Sequence, residues 1–246
     1  MKKWNQILAF LFACVLAVSS MTACRNKTGD GNADDAKAYT NLSPEQVYDA
    51  LLNTNDAQFT LDRIVISSED RRHDLMVYKK DNDLYSSTGN HTSESSPENN
   101  FSSNHITDQD TGYNYSYSDE KAVWIRREST DDFGWKDAMK MLFPSCCGSL
   151  FTDDDNLEKV ASNRYKVRDD VLADFIAEDA DGILNREIGD LPYRVEAYME
   201  SAGAVYTFYV KVETLDGTIQ IESKNIVEFT DIVIEIPETY EIEENS

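Results

Sequence analysis

The stretch "VYTFYVKVETLDGTIQIES", residues 205–223, constrains the fold more than any other part of the chain. Tyr206, Phe208, Val210 and Val212 alternate with Thr207, Tyr209, Lys211 and Glu213, and Ile219 and Ile221 alternate with Gln220 and Glu222. A period of two sends apolar side chains to one side of a strand and polar ones to the other. The Asp216-Gly217 pair between the two runs is the strongest local hairpin signal in the chain. An antiparallel sheet with one dry and one wet face is the expectation for residues 192–237, in three or four strands.

Upstream, the pattern mixes helix and strand. In "NLSPEQVYDALLN", Ser43 suits the N-cap, Pro44 the first helical position and Gln46 the capping box, while Val47, Ala50 and Leu51 share a face. "AQFTLDRIVISSED" is rich in strand formers, and "HDLMVYKKDNDLYSSTG" reads as two strands turning at Asp81-Asn82-Asp83. Residues 88–110 carry almost no apolar side chain, so they are expected to be a long polar loop, either plainly solvated or a flap over a site. A second hairpin follows at 112–129, with Tyr113, Tyr115 and Tyr117 on one strand face; such a stripe packs a sheet or lines a sugar or lipid site.

Mid-chain, "TDDFGWKDAMKMLFPS" predicts a helix bearing Trp135, Ala138, Met139 and Leu142, stopped by Pro144. "DDDNLEKV" and "DDVLADFIAEDA" are further helix candidates, with "NRYKV" a strand between them. The order helix, strands, helices, strands implies an α+β fold: a single curved antiparallel β-sheet with helices on one face.

The N-terminus speaks to location. In "MKKWNQILAFLFACVLAVSSMTAC" two lysines precede an apolar run at residues 7–18 that is too short for a membrane span and ends in small residues, as an export signal does. Met21-Thr22-Ala23-Cys24 resembles a bacterial lipobox, with Met21 where Leu is usual. That resemblance implies cleavage before Cys24 and diacylation of its sulfur, giving a stable anchor on a membrane facing outside the cytoplasm. Residues 24–41 then form the lipidated cysteine and a flexible linker, and 42–242 a single domain. Removing residues 1–23 takes two lysines and no acid from 23 basic and 46 acidic residues, leaving a net charge of −25. Such a surface disfavours nucleic acid and anionic lipid as partners.

No catalytic or metal constellation stands out, and no cofactor is implied. His73, His91 and His105 have no Glu or second His at ligand spacing and read as solvated surface side chains. The acidic run 178–182 invites comparison with a calcium loop, but the register puts Ala177 and Ile188 where carboxylates are needed. Adjacent Cys146 and Cys147 would form a strained disulfide, since their Cα atoms lie about 3.8 Å apart against about 4.4–6.8 Å for ordinary bridges. Two reduced, buried thiols are the preferred expectation.

The element order, closing in "NIVEFTDIVIEIP" with an apolar strand after "VEFTD" and Pro237, resembles the lipoprotein-carrier superfamily of LolA, LolB and LppX/LprG-like half-barrels over residues 42–240. The resemblance implies an incomplete barrel whose concave apolar face, covered by helices, binds a lipid or other hydrophobic ligand without catalysis. Candidate lining residues by alternation are Val77, Tyr115, Val123, Ile125, Val195, Phe208, Val210, Ile219 and Ile221, with Trp135, Met139 and Leu142 from the covering helix. The same residues equally suit a filled core, which would make the chain a structural or interaction lipoprotein with a protein or polymer partner.

Overall fold

The computed structural model describes residues 39–129, 134–147, 149–172 and 187–243, all belonging to one compact unit. Cys24 with its lipobox, the signal, the linker up to residue 38, the acidic run 178–182 and the side chains of Cys146 and Cys147 lie outside the described residues.

The described residues form one open sheet of twelve strands built from two antiparallel meanders. The first comprises β1 (Asp56–Ser67), β2 (Arg71–Asp81), β3 (Leu84–Ser93), β4 (Phe101–Asp108), β5 (Tyr113–Ser118) and β6 (Val123–Glu128). The second comprises β7 (Leu157–Ala161), β8 (Arg164–Val167), β9 (Tyr193–Ala202), β10 (Val205–Thr214) and β11 (Ile219–Glu228). β11 pairs antiparallel with β1, joining the meanders at the centre of the sheet. A two-residue β12 (Glu241–Ile242) lies parallel to β6 at one edge.

Helix α1 (Pro44–Asn53) begins as its sequence demands: the Ser43 hydroxyl accepts from the Gln46 N–H, and the Gln46 side chain accepts from the Ser43 N–H. Helix α2 (Trp135–Cys147) continues through Pro144, contrary to the expected stop; the proline removes one ladder hydrogen bond without ending the helix. The indole N–H of Trp135 donates to the Leu51 carbonyl at 2.7 Å, tying α2 to α1. Both helices bury their apolar stripes against β1, β2 and β9–β11, where Phe143 meets Phe59, Phe208 and Tyr48 at ring separations of 5.9, 5.0 and 5.0 Å. The short α3 (Asp169–Leu172) adds Leu172 to the same core.

Three further expectations are corrected. Residues 88–110 are not a loop: most of the segment belongs to β3 and β4, which pair over Leu84–Asp108 to His91–Phe101. Ser, Thr and Asn can hold a strand when neighbours on both sides supply the hydrogen-bond ladder, so the missing apolar residues report on the faces and not on the backbone. "DDDNLEKV" forms a single 3-10 turn at Asp154–Asn156 and then strand β7, because β8 stands ready to pair with it. The apolar run after "VEFTD" is not a strand either. Both neighbours of β11 are already taken by β1 and β10, so the chain leaves the sheet after Glu228.

Residues 229–240 instead run as an irregular strap from the central β11 to the β6 edge. The strap buries Ile234 with Ile106 and Tyr115, and packs Ile232 and Tyr240 beside Leu84, Tyr113 and Trp124. Its backbone is fixed where the Ile234 N–H donates to Asp81 at 3.1 Å.

Candidate functional site

Strand registers sort every side chain onto one of two faces, because directly opposed residues share a face and successive ones alternate. Phe59, Tyr78, Val227 and Tyr206 stand side by side on the face that receives the helices. Of the residues expected to line a ligand surface, Val195, Phe208, Val210, Ile219 and Ile221 share this face, as do Val123 and Ile125 at the β6 end. Trp135, Met139 and Leu142 reach the same core from α2. Val77 and Tyr115 do not belong with them: their registers, through Thr60 and Ile106, put them on the opposite face, and Tyr115 packs under the strap. The expected single lining is therefore divided between two sides of the sheet.

The members near the helices are closely packed against one another. Phe208 is 0% exposed and touches Phe143 and Phe151 edge-on at 5.0 and 5.2 Å, while Met139 and Ile221 are also buried. This apolar core ends, among the described residues, at Met76 of β2 and Tyr85 of β3.

Beyond that limit the helix-bearing face is mostly polar across β3 to β5, and its rows can be read across the strands. One row runs Arg63, Asp74, His91, Phe101 on β1 to β4. Arg63 donates from Nε and Nη2 to Asp74 Oδ2, and His91 Nδ1 lies 2.5 Å from Asp74 Oδ1. Phe101 stacks on the His91 ring at 5.4 Å with 18° between planes. Burial pushes the Asp74 carboxyl up, but hydrogen bonds from His91 and Arg63 outweigh it and hold the group below the usual carboxylate range. The next rows place Gly89 beside Ser103, and Ser87, His105 and Ser116 in line. Arg127 donates to the Ser116 hydroxyl at 3.0 Å.

At the rim, Asp70 accepts from the Ser93 hydroxyl and the Ser95 N–H, and pairs with Arg72, which also binds Glu187. The Ser95 backbone donor, working against desolvation, lowers the Asp70 carboxyl from its ordinary value. On the opposite face a shallow hollow of about 240 Å³ lies at β9 and β10, lined by Arg194, Glu196, Lys211 and Glu213 with Val195 at its edge.

Both oxygens of Asp74 are engaged, and among the described residues no hydroxyl or thiol bonds to His91. The row is therefore a charge-compensated chain of side chains tied across β1, β2 and β3. Nor is there, among the described residues, a cluster of three His, Cys, Asp or Glu placed to hold a metal ion. Reading His91 as a solvated surface side chain is corrected: its side chain is 22% exposed and fixed by Asp74. The signal that could have found it is the alternation within "LYSSTGNHTS", which puts Tyr85, Ser87, Gly89 and His91 on one side once the segment is taken as a strand.

No protein-family model and no curated protein matches the chain. Among solved structures, the S-type phycobiliprotein lyase CPES from Guillardia theta aligns over 77% of this chain and 93% of its own, at 7% identity and a TM-score of 0.23. An N-terminal dehydratase from the difficidin assembly line covers 77% and 85% at 10% identity and TM-score 0.15. The dehydratase domain from the CurK module of curacin polyketide synthase covers 75% and 79% at 13% and 0.14. Superpositions at these scores define no family for the chain.

Proposed function

We propose that the chain is a non-catalytic, lipid-anchored protein facing outside the cytoplasm, which acts as an interaction lipoprotein with a filled core and binds a protein or polymer partner. The lipobox-like Met21-Thr22-Ala23-Cys24 supports the anchor. The observation that carries the choice of a filled core is the mutual packing of Phe208, Phe143, Phe151 and Met139, each fully buried, where a carrier needs room for an acyl chain.

The carrier reading has its own support in element order and in α1 and α2 lying on one sheet face, as in a LolA, LolB or LppX/LprG-like half-barrel whose curved sheet wraps its helices. Native mass spectrometry with lipid extraction, on protein purified from its own envelope, separates the two. A ligand-free mass upholds the interaction reading; one bound lipid per chain overturns it in favour of the carrier. The anchor is tested by Cys24→Ala, which should move the protein from the membrane to the soluble fraction and abolish palmitate labelling. Labelling that persists in the variant removes the lipobox assignment.

A further inference from the structure

Phe101 is a large apolar side chain held 56% exposed, and it is not loose. It rests flat on His91, which is fixed by Asp74, which is fixed by Arg63. Three residues across three strands thus hold an aromatic ring in place with its outer side toward solvent. From that ring the same face continues over Ser103, Ser87, His105 and Ser116, three hydroxyls and an exposed imidazole on neighbouring strands about 4.8 Å apart, with the buried Gly89 beneath Ser103. A Cβ at Gly89 would stand 2.8 Å from Ser103 Oγ, so the position admits no larger side chain without displacing that hydroxyl. Leu84, Ile106 and Tyr115 of these strands lie on the other face under the strap, while Tyr85 borders the helix-covered core.

We propose that this strip, ending at the Phe101–His91 stack, binds a neutral polysaccharide chain. The proposal rests on the interaction reading above and names its partner. A flat ring suits the apolar face of a sugar, and hydroxyls that both donate and accept suit its rim. Charge selects against polyanions: the local pairs Arg63–Asp74 and Arg127–Glu243 are compensated, and the mature chain carries −25. An apolar ligand finds one exposed phenyl ring beside hydroxyls, the His105 imidazole and Arg127, which is a poor match.

The test is an array of neutral and acidic oligosaccharides probed with the full-length protein in detergent, followed by titration of a retained neutral hexasaccharide. At least one neutral glycan should bind. Phe101→Ala should weaken it about tenfold with the melting temperature unchanged, since the ring is exposed, and Phe101→Trp should stay within about threefold of wild type. Ser103→Leu, which fills the strip, should also lose about tenfold. The site falls if only acidic glycans or none bind, if a protein partner binds equally well to Phe101→Ala, or if Phe101→Ala titrates like wild type. Lipid extraction decides the underlying reading independently: a ligand-free protein that ignores neutral glycans loses this site and keeps its interaction role.

Discussion

The two halves of the sheet solve the burial problem on opposite sides. From β9 through β11 and β1 to β2, the helix-bearing face carries Phe208, Val210, Ile221, Phe59 and Tyr78, and α1 and α2 seal it. From β3 to β5 the same face carries mostly polar residues, Ser87, Gly89, Ser103, His105 and Ser116, with Val123 and Ile125 at its β6 end, while Leu84, Ile106, Tyr115 and Trp124 lie beneath the strap. One continuous hydrogen-bonded sheet thus changes its dry side part way across. A core large enough for a fold is gathered in one half, and the same face of the other half carries mostly polar side chains.

If the halves differ in this way, truncating a core residue in each should give unequal losses. Phe208→Ala removes a ring that meets Phe143 and Phe151, and should destabilise the protein by about 3–5 kcal/mol in urea unfolding followed by circular dichroism. A loss below about 1 kcal/mol would mean that the helix-covered half has room to collapse, contrary to a filled core. Ile234→Ala in the strap should cost about 2 kcal/mol, and mostly as local release. Hydrogen exchange should quicken at residues 229–240 before β1 or β10 responds. Uniform quickening would show that the strap belongs to the same cooperative unit as the helices.

That division was only partly legible in the chain. The alternation at 205–223 and the hairpin signals at Asp81-Asn82-Asp83 and Asp216-Gly217 report local backbone, and all reappear: Asn82 and Gly217 occupy positive φ at their turns. What alternation cannot carry is which side of the sheet a given residue shares with a distant one. Val77 and Tyr115 look like Phe208 because each is apolar in an alternating run, yet strand register alone decides the face. The "TDIVIEIP" segment has strand periodicity, but both sides of the preceding β11 are occupied by β1 and β10, a fact of topology rather than of propensity. The 88–110 segment hid for the reverse reason: its side chains are mostly polar on both faces, so only the ladder with β2 and β5 shows it to be strand. The Arg63, Asp74 and His91 row was invisible because its members lie 11 and 17 positions apart and meet only through the pairing of β1, β2 and β3.

The polar half offers a milder way to sharpen the contrast. Asp74→Asn weakens the bonds to Arg63 and His91 and should cost about 2 kcal/mol at neutral pH. The sign in acid follows from the lowered carboxyl. In the window between the ordinary carboxylate value and the lower folded value, the unfolded chain binds the proton and the native one does not. The stabilisation is complete above about pH 4 and is lost as pH falls through the folded value. The variant should therefore lose less stability than wild type across that window, as read from melting temperature against pH. An unchanged acid limb would show that Asp74 contributes nothing to it.

The smallest effects are expected where the strap meets the β6 edge, and the two cations there should not behave alike. Lys121 pairs with Glu241 at 3.2 Å with both side chains more than half exposed, so Lys121→Ala should change the stability negligibly. Arg126 lies 4.2 Å over the Tyr113 ring and 4.9 Å over that of Tyr240, and donates to the Tyr240 hydroxyl at 3.0 Å. A lysine there keeps the charge and loses the planar fork that stacks and donates together. Arg126→Lys should loosen residues 229–240 by about 1 kcal/mol in local hydrogen exchange, with the helix-covered half unmoved. If the two substitutions act equally, the strap is held by charge alone; if Arg126→Lys acts and added salt does not mimic it, the ring stack is what keeps the second half dry.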